Sequence, residues 1–143
     1  MGAVSSILKN KGHVIFTIVP ETLVYEALEI MVEKNVSALL VMENDNLAGI
    51  FTERDYARKI VLKGKVSKET SIGEVMTRDL ITVAPETSLD SCMRLMTGKL
   101  IRHLPVVDKG ELAGIISIGD VVKYIIEEQN FVIENMEHYI TGS

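Results

Sequence analysis

The sequence has no tryptophan and a single cysteine, Cys92. One thiol excludes an internal disulfide and the multi-cysteine type of structural zinc site. It fits a reducing compartment, here expected to be the cytoplasm. With only three Phe and four Tyr, the core has to be aliphatic. A basic excess is also missing: 15 Lys+Arg stand against 20 Asp+Glu, a net charge of −5. That argues against the broad basic face by which proteins hold nucleic acid or anionic membranes. No apolar run approaches the roughly 18 residues of a membrane span. The first residues lack the charged and apolar regions of a secretory signal. Gly2 and Ser6 meet the loose pattern for acylation, a match that chance explains. What is present is apolar enough to fold, 47% hydrophobic with a mean hydropathy of +0.23.

Self-similarity organises the chain. Shifted by 65 positions, Ile15–Ile60 aligns with Leu80–Ile125 without a gap. The identities are Thr17/Thr82, Pro20/Pro85, Glu21/Glu86, Thr22/Thr87, Met31/Met96, Lys34/Lys99, Leu39/Leu104 and Val41/Val106. They continue with Leu47/Leu112, Ala48/Ala113, Gly49/Gly114, Ile50/Ile115, Asp55/Asp120 and Ile60/Ile125. Ser6-Ile7, ahead of the block, recurs as Ser71-Ile72. The chain is a tandem duplication.

Each copy reads as β-α-β-β-α. A short extended run, Ile15–Val19 or Leu80–Ala84, is stopped by Pro20 or Pro85. A helix follows with Val24, Ala27, Leu28 and Met31 on one face, matched by Leu89, Cys92, Met93 and Met96. Two apolar runs come next, Val36–Met42 with Ala48–Thr52 and Ile101–Val107 with Ala113–Ser117. The Asn/Asp/Gly clusters between them predict hairpin loops. A second helix closes each copy, with Tyr56, Ala57, Ile60 and Val61 matched by Val121, Val122, Ile125 and Ile126. Gly64 stops the first of these helices, whereas the second has no stop before Gly142. The expected division is a first repeat over 1–64, a linker over 65–70, a second repeat over 71–130 and a helical extension over 131–143.

Most candidate sites reduce to structure. Cys92 falls on a buried helix face, where a thiol has a raised pKa and is inert. Met31, Met93 and Met96 share those faces as core filler. His13, His103 and His138 lack metal-ligand spacing. The closings Gly49-Ile50-Phe51-Thr52-Glu53-Arg54-Asp55 and Gly114-Ile115-Ile116-Ser117-Ile118-Gly119-Asp120 are different. Each runs from strand into helix with a hydroxyl three residues before a carboxylate. That spacing predicts a capping box. It also suits a phosphate at the helix N-terminus and a ribose held by the carboxylate, and one arrangement can serve both. Arg102 and His103, in Lys99-Leu100-Ile101-Arg102-His103-Leu104-Pro105, should point to opposite faces of a strand. They are either surface charges or cleft residues for phosphate.

These motifs carry a family resemblance. The duplicated unit, with openings Thr17-Ile18-Val19-Pro20 and Thr82-Val83-Ala84-Pro85 and the G-h-h-[ST]-x-x-D closings, resembles a cystathionine β-synthase (CBS) domain pair, or Bateman module. The resemblance implies an α+β (α/β) fold with tandem repeats packed about a pseudo-twofold axis, leaving two clefts that take adenosine-containing ligands. It implies that Thr17, Ile18, Ser37 and Ala38 face adenine in the first cleft, with Thr52, Asp55 and Arg54 on ribose and phosphate. Thr82, Val83, Arg102, His103 and Leu104 do the corresponding work in the second, with Ser117 and Asp120. Gly119 stands where the first copy has Arg54, and Ser37-Ala38 where the second has Arg102-His103, so the clefts are not equivalent.

The expected function is a non-enzymatic, cytoplasmic sensor that binds AMP, or else ADP, ATP or NAD, as a regulatory ligand and acts on a protein target. No catalytic cofactor, nucleic acid or membrane is expected. The resemblance and the apolar stripe Phe131, Val132, Ile133, Met136, Tyr139 and Ile140 together predict a homodimer. A structural module with empty clefts, and an enzyme using His103 and Asp120 as acid and base, are the alternatives.

Overall fold

The Asn/Asp/Gly clusters form tight turns, and each turn explains its residues. In the computed structural model, which describes residues 2–12 and 14–141, strands β2 (Ala38–Glu43) and β3 (Asn46–Thr52) pair antiparallel as far as Glu43 opposite Asn46. The two residues between them, Asn44 and Asp45, have φ of 52° and 63°, the positive values of a type I′ hairpin. In the second copy β4 (His103–Asp108) and β5 (Glu111–Ser117) repeat the arrangement, with Lys109 and Gly110 at 52° and 82°. Both hairpins shift register at the same place, between Val41 and Met42 and between Val106 and Val107.

The chain forms two compact units. One is residues 14–81. Its β1, only Thr17–Ile18, runs parallel to β2, giving the order β1-β2-β3. Helix α2 (Val24–Lys34) begins where Glu26 accepts the Leu23 N–H at 3.2 Å. It ends on Asn35 in the left-handed region, with the Val36 N–H donating to Met31 O at 3.0 Å. Val24, Ala27 and Met31 are buried against Ile18, Leu39, Val41 and Phe51. Full burial of a side chain such as Leu39 or Phe51 stabilises by about 1.5–3 kcal/mol. Helix α3 (Glu53–Asp55) continues as a π-helical stretch over Tyr56–Val61. Gly64, with φ of 66°, follows it as expected. The segment after residue 70 returns to the same unit. Helix α4 (Ile72–Val75) buries Ile72 and Val75 in this core, and Thr77 bridges Ile50 by two backbone hydrogen bonds of 3.0 and 2.9 Å.

The other unit is residues 2–12 with 82–141. Helix α1 (Val4–Lys11) lies with the second repeat, α5 (Leu89–Lys99), β4, β5 and α6 (Ile118–Thr141). Its first turn donates from Val4 to Thr87 O and from Ser5 to Pro85 O, both at 2.9 Å. The segment ahead of each repeat therefore completes the other repeat. The equivalence is also out of register with the 65-residue shift. Ile72 and Gly73 donate to Thr22 and Pro20, so Val4 corresponds to Ile72, and Leu8 to Met76. The recurrence of Ser6-Ile7 as Ser71-Ile72 is a coincidence three residues out of step.

Three expectations change. The run Leu80–Ala84 contributes an isolated bridge, Val83 to Val106, in place of a strand, because Val83 alone exchanges backbone hydrogen bonds with β4, through Pro105 O and the Val107 N–H. Met93 is exposed, not core filler, since α5 buries only Leu89, Cys92 and Met96. Arg102 and His103 do not share a strand, because β4 begins at His103. The expected stop at Gly142 lies outside the described residues.

Candidate functional site

The site residues of each copy gather within one unit. In the first, β1 and β2 begin, and β3 ends, at one end of the three-stranded sheet. Thr17 pairs with Leu40, Ile18 with Val41 and Ala38 with Thr52. The Glu53 N–H donates to Ser37 O at 3.1 Å, which brings the start of β2 to the start of α3. Thr17, Ser37 and Arg54 are exposed there, whereas Ile18 and Ala38 are buried.

In the other unit the same construction recurs. The Ile118 N–H donates to Arg102 O at 2.9 Å, and Val83 exchanges backbone bonds with Pro105 and Val107 at 3.0 and 2.8 Å. Thr82 and Arg102 are exposed, His103 is half-buried, and Val83 and Leu104 are in the core.

Both capping boxes form. Thr52 Oγ1 accepts from the Asp55 N–H at 3.1 Å while Asp55 Oδ2 accepts from the Thr52 N–H at 3.0 Å. Ser117 Oγ and Asp120 make the same two bonds at 3.1 and 2.8 Å. Beyond the box the two carboxylates part ways. Asp55 is only 7% exposed, and its Oδ1 accepts from Thr77 Oγ1 at 3.0 Å and faces Lys59 Nζ at 3.1 Å. Its oxygens are spoken for. Asp120 instead meets Lys11 Nζ at 2.7 Å; among the described residues its carboxylate accepts on Oδ2, from Lys11 and the Ser117 N–H, and its side chain stays 24% exposed.

Charge follows from these contacts. Burial pushes the Asp120 carboxyl up, but hydrogen bonds from Lys11 and Ser117 outweigh it and hold it below the usual carboxylate range. Burial lowers His103, Lys11 and Arg102 lower it further, and Asp120 opposes them only in part. The net direction is down, so His103 favours the neutral imidazole, with one ring nitrogen able to donate and the other to accept. Burial raises the Cys92 thiol, which suits a core residue.

Asp120 and Lys11 open on a cavity of about 210 Å³ lined also by Ile7, Asn10, Lys123, Tyr124 and Glu127. Its walls are α1 and the first turns of α6. A second hollow, about 270 Å³, is lined only by α6 residues from Val132 to Ile140. One helix cannot enclose a ligand, so that hollow is surface relief. His13 lies outside the described residues.

Sequence reasoning missed Lys11, Lys59 and Thr77, the groups that set the two carboxylates apart. Lys59 stood four residues from Asp55, the spacing at which helical side chains meet. Lys11 and Thr77 carried no such signal, because each sits in a segment exchanged between repeats.

The CBS domain model matches the chain twice, over residues 7–62 and 72–127. The chain belongs to the CBS-domain family. The CBS domain-containing protein CBSX3, mitochondrial, of Arabidopsis thaliana is 41% identical over 149 residues, covering 97% of this chain and 72% of that protein. A putative signal-transduction protein with CBS domains from Burkholderia ambifaria superposes with a TM-score of 0.86 at 49% identity, covering 89% of this chain and 96% of the other. The CBS domain pair of protein MJ0100, solved in complex with 5′-methylthioadenosine and S-adenosyl-L-methionine, has a TM-score of 0.79 at 26% identity, covering 90% and 98%. This CBS pair is thus a regulatory type of module with α+β tandem repeats. Among its described residues no helix is long and apolar enough to cross a membrane.

Proposed function

We propose that this CBS pair is a non-catalytic sensor of adenosine-containing ligands, with AMP as the first candidate and the Asp120 site as the principal one. The observation that carries the reading is the difference between the carboxylates. Asp120 remains partly exposed beside a hydroxyl, Ser117, and a cation, Lys11, which is the start of the donor and acceptor set that a ribose phosphate needs, and the Arg102 backbone lies next to it, its carbonyl accepting from the Ile118 N–H. Ser117 and Asp120 would hold ribose, Arg102, His103 and Lys11 phosphate, and Thr82, Val83 and Leu104 the adenine. The MJ0100 pair, in complex with two adenosine compounds, supports the ligand class.

On the other side Thr17, Ile18, Ser37, Ala38, Thr52 and Arg54 would form the weaker site, since Asp55 would have to give up contacts before it could accept from ribose. That same saturation favours an empty, purely structural site there. Among the described residues no side chain is arranged as a nucleophile with an oriented base, which favours a regulatory role, in a reducing compartment such as the cytoplasm. The exposed stripe of α6, with Phe131 at 64% and Met136 at 59%, supports a homodimer through which ligand could alter a protein target.

Titration calorimetry tests the ligand assignment. Asp120→Ala should weaken AMP roughly ten- to a hundredfold and abolish the preference for AMP over 2′-deoxy-AMP, while Asp55→Ala changes neither by more than about threefold. An Asp120→Ala protein that binds AMP like the wild type would return the motif to capping alone.

A further inference from the structure

Asp55 and Asp120 each hold a lysine, but the two lysines are held differently. Lys59 Nζ has three acceptors around it: Asp55 Oδ1 at 3.1 Å, Val75 O at 2.8 Å and Thr77 Oγ1 at 3.3 Å. Among the described residues Lys11 Nζ has two, Asp120 Oδ2 at 2.7 Å and Ile115 O at 3.0 Å. Lys11 is the last residue of α1, and its side chain is 37% exposed. Its ammonium rides on a flexible four-carbon stem. Leaving Asp120 costs it one exposed ion pair and one carbonyl contact.

What Lys11 occupies matters for ribose. A carboxylate oxygen offers two acceptor positions, and those of Asp120 Oδ2 are taken by Lys11 and by the Ser117 N–H at 2.8 Å. Two vicinal hydroxyls that grip the carboxylate through both oxygens therefore need Lys11 to let go. Burial and then Lys11 push the His103 imidazole down, against Asp120, so cation, carboxylate and imidazole share one neighbourhood. We infer that Lys11 is a latch on Asp120 that phosphate releases, and that it determines the preference of this site for phosphorylated over unphosphorylated adenosine ligands. This rests on the ligand site assigned above and adds its selectivity. With AMP the ion pair is exchanged: the ribose hydroxyls replace Lys11 on Asp120, and the ammonium moves to the phosphate. With adenosine the pair is broken and the ammonium gains no anion. The first copy has no such latch, because Lys59 keeps Val75 O and Thr77, and Thr77 also donates to Asp55 Oδ1.

Calorimetric titration of wild type and Lys11→Met with AMP, adenosine and 2′-deoxyadenosine tests the latch through a change of sign. Adenosine should bind Lys11→Met roughly two- to fivefold tighter than wild type, since no exposed pair has to break. AMP should bind it at least about threefold weaker, so the preference for AMP over adenosine falls on the order of tenfold. The preference for adenosine over 2′-deoxyadenosine should widen, because a single hydroxyl can use Oδ1 while Lys11 stays in place. Lys11→Arg, which keeps the charge, should restore most of the preference for AMP. Adenosine that binds Lys11→Met no tighter than wild type overturns the latch. If Asp120→Ala still weakens AMP in that case, the ligand site itself stands. AMP binding that ignores Asp120→Ala overturns the site and the latch together.

Discussion

Replacing Lys11 by Met keeps the side chain's apolar stem and removes its ammonium group, which is held by Asp120 Oδ2 at 2.7 Å and Ile115 O at 3.0 Å. The side chains are 37% and 24% exposed, so solvent discounts the ion pair to about 0.5–1 kcal/mol. The carbonyl contact adds about 0.5 kcal/mol more at this exposure. The expected loss at pH 7 is therefore about 1–1.5 kcal/mol, or roughly 2–6 °C in Tm for a chain of this size. The sign with pH follows from Asp120. Its folded pKa is depressed, so the stability that the pair contributes is present above the unfolded value, about 3.9, and is lost as pH falls through the folded one. Urea unfolding of wild type and Lys11→Met at pH 7, and again near pH 3, should show the gap shrinking to about half or less. What remains is the carbonyl contact. A gap of equal size at both pH values would refute the reasoning, because the lysine would then be acting through its stem.

Other tests address the pH response, the close packing and a strained cap. His103 has a lowered pKa in the folded protein, so its contribution is in place above the unfolded value near 6.5 and declines as pH falls through the folded one. His103→Gln should flatten the stability slope between about pH 5 and 7, and a slope that persists would place the titration elsewhere. A Cβ on Gly49 would meet Thr77 O at 2.8 Å and Met76 Sδ at 2.9 Å, whereas the nearest neighbour of one on Gly114 is the end of the Leu8 side chain, at 2.8 Å. Gly49→Ala should therefore cost about 1–3 kcal/mol and more than Gly114→Ala, and a reversed order in denaturant melts would contradict the packing described. Leu100 holds a left-handed φ of 55°, where the first copy has Asn35 at 53°. Leu100→Asn should raise stability by about 0.5–1 kcal/mol, and a destabilised variant would mean that the leucine earns its place through contacts.

Much of the architecture was legible because duplication doubles every signal. The hairpin turns, α2 and α5, and the stop near Gly64 followed from apolar spacing and from residues that tolerate positive φ. The capping boxes followed from a hydroxyl and a carboxylate three apart. Two things were not legible. Val4, Ile7 and Leu8 are buried in the second unit and Ile72, Val75 and Met76 in the first, yet nothing local to those segments says which repeat they cover. The inequality of Asp55 and Asp120 was invisible for the same reason, since Thr77 and Lys11 arrive from those segments. The exposure of Met93 is a smaller case: helical spacing marks a stripe, and the narrow sheet beneath α5 covers only part of it.

The exchange of leading segments also sets an order of assembly on the ribosome. Residues 14–81 are contiguous, so that unit has all its parts once Ile81 has emerged. The other unit is split, because α1 is synthesised before residues 14–81 and the strand that receives it, β5, after them. Leu8 waits for Gly114, an interval of roughly 5–20 s at ordinary elongation rates. An eight-residue helix cannot hold itself together in water for that time. Until residues 82–117 have been made, then, Val4, Ile7 and Leu8 form an exposed apolar arm, and the nascent chain is most open to aggregation or chaperone capture in that interval.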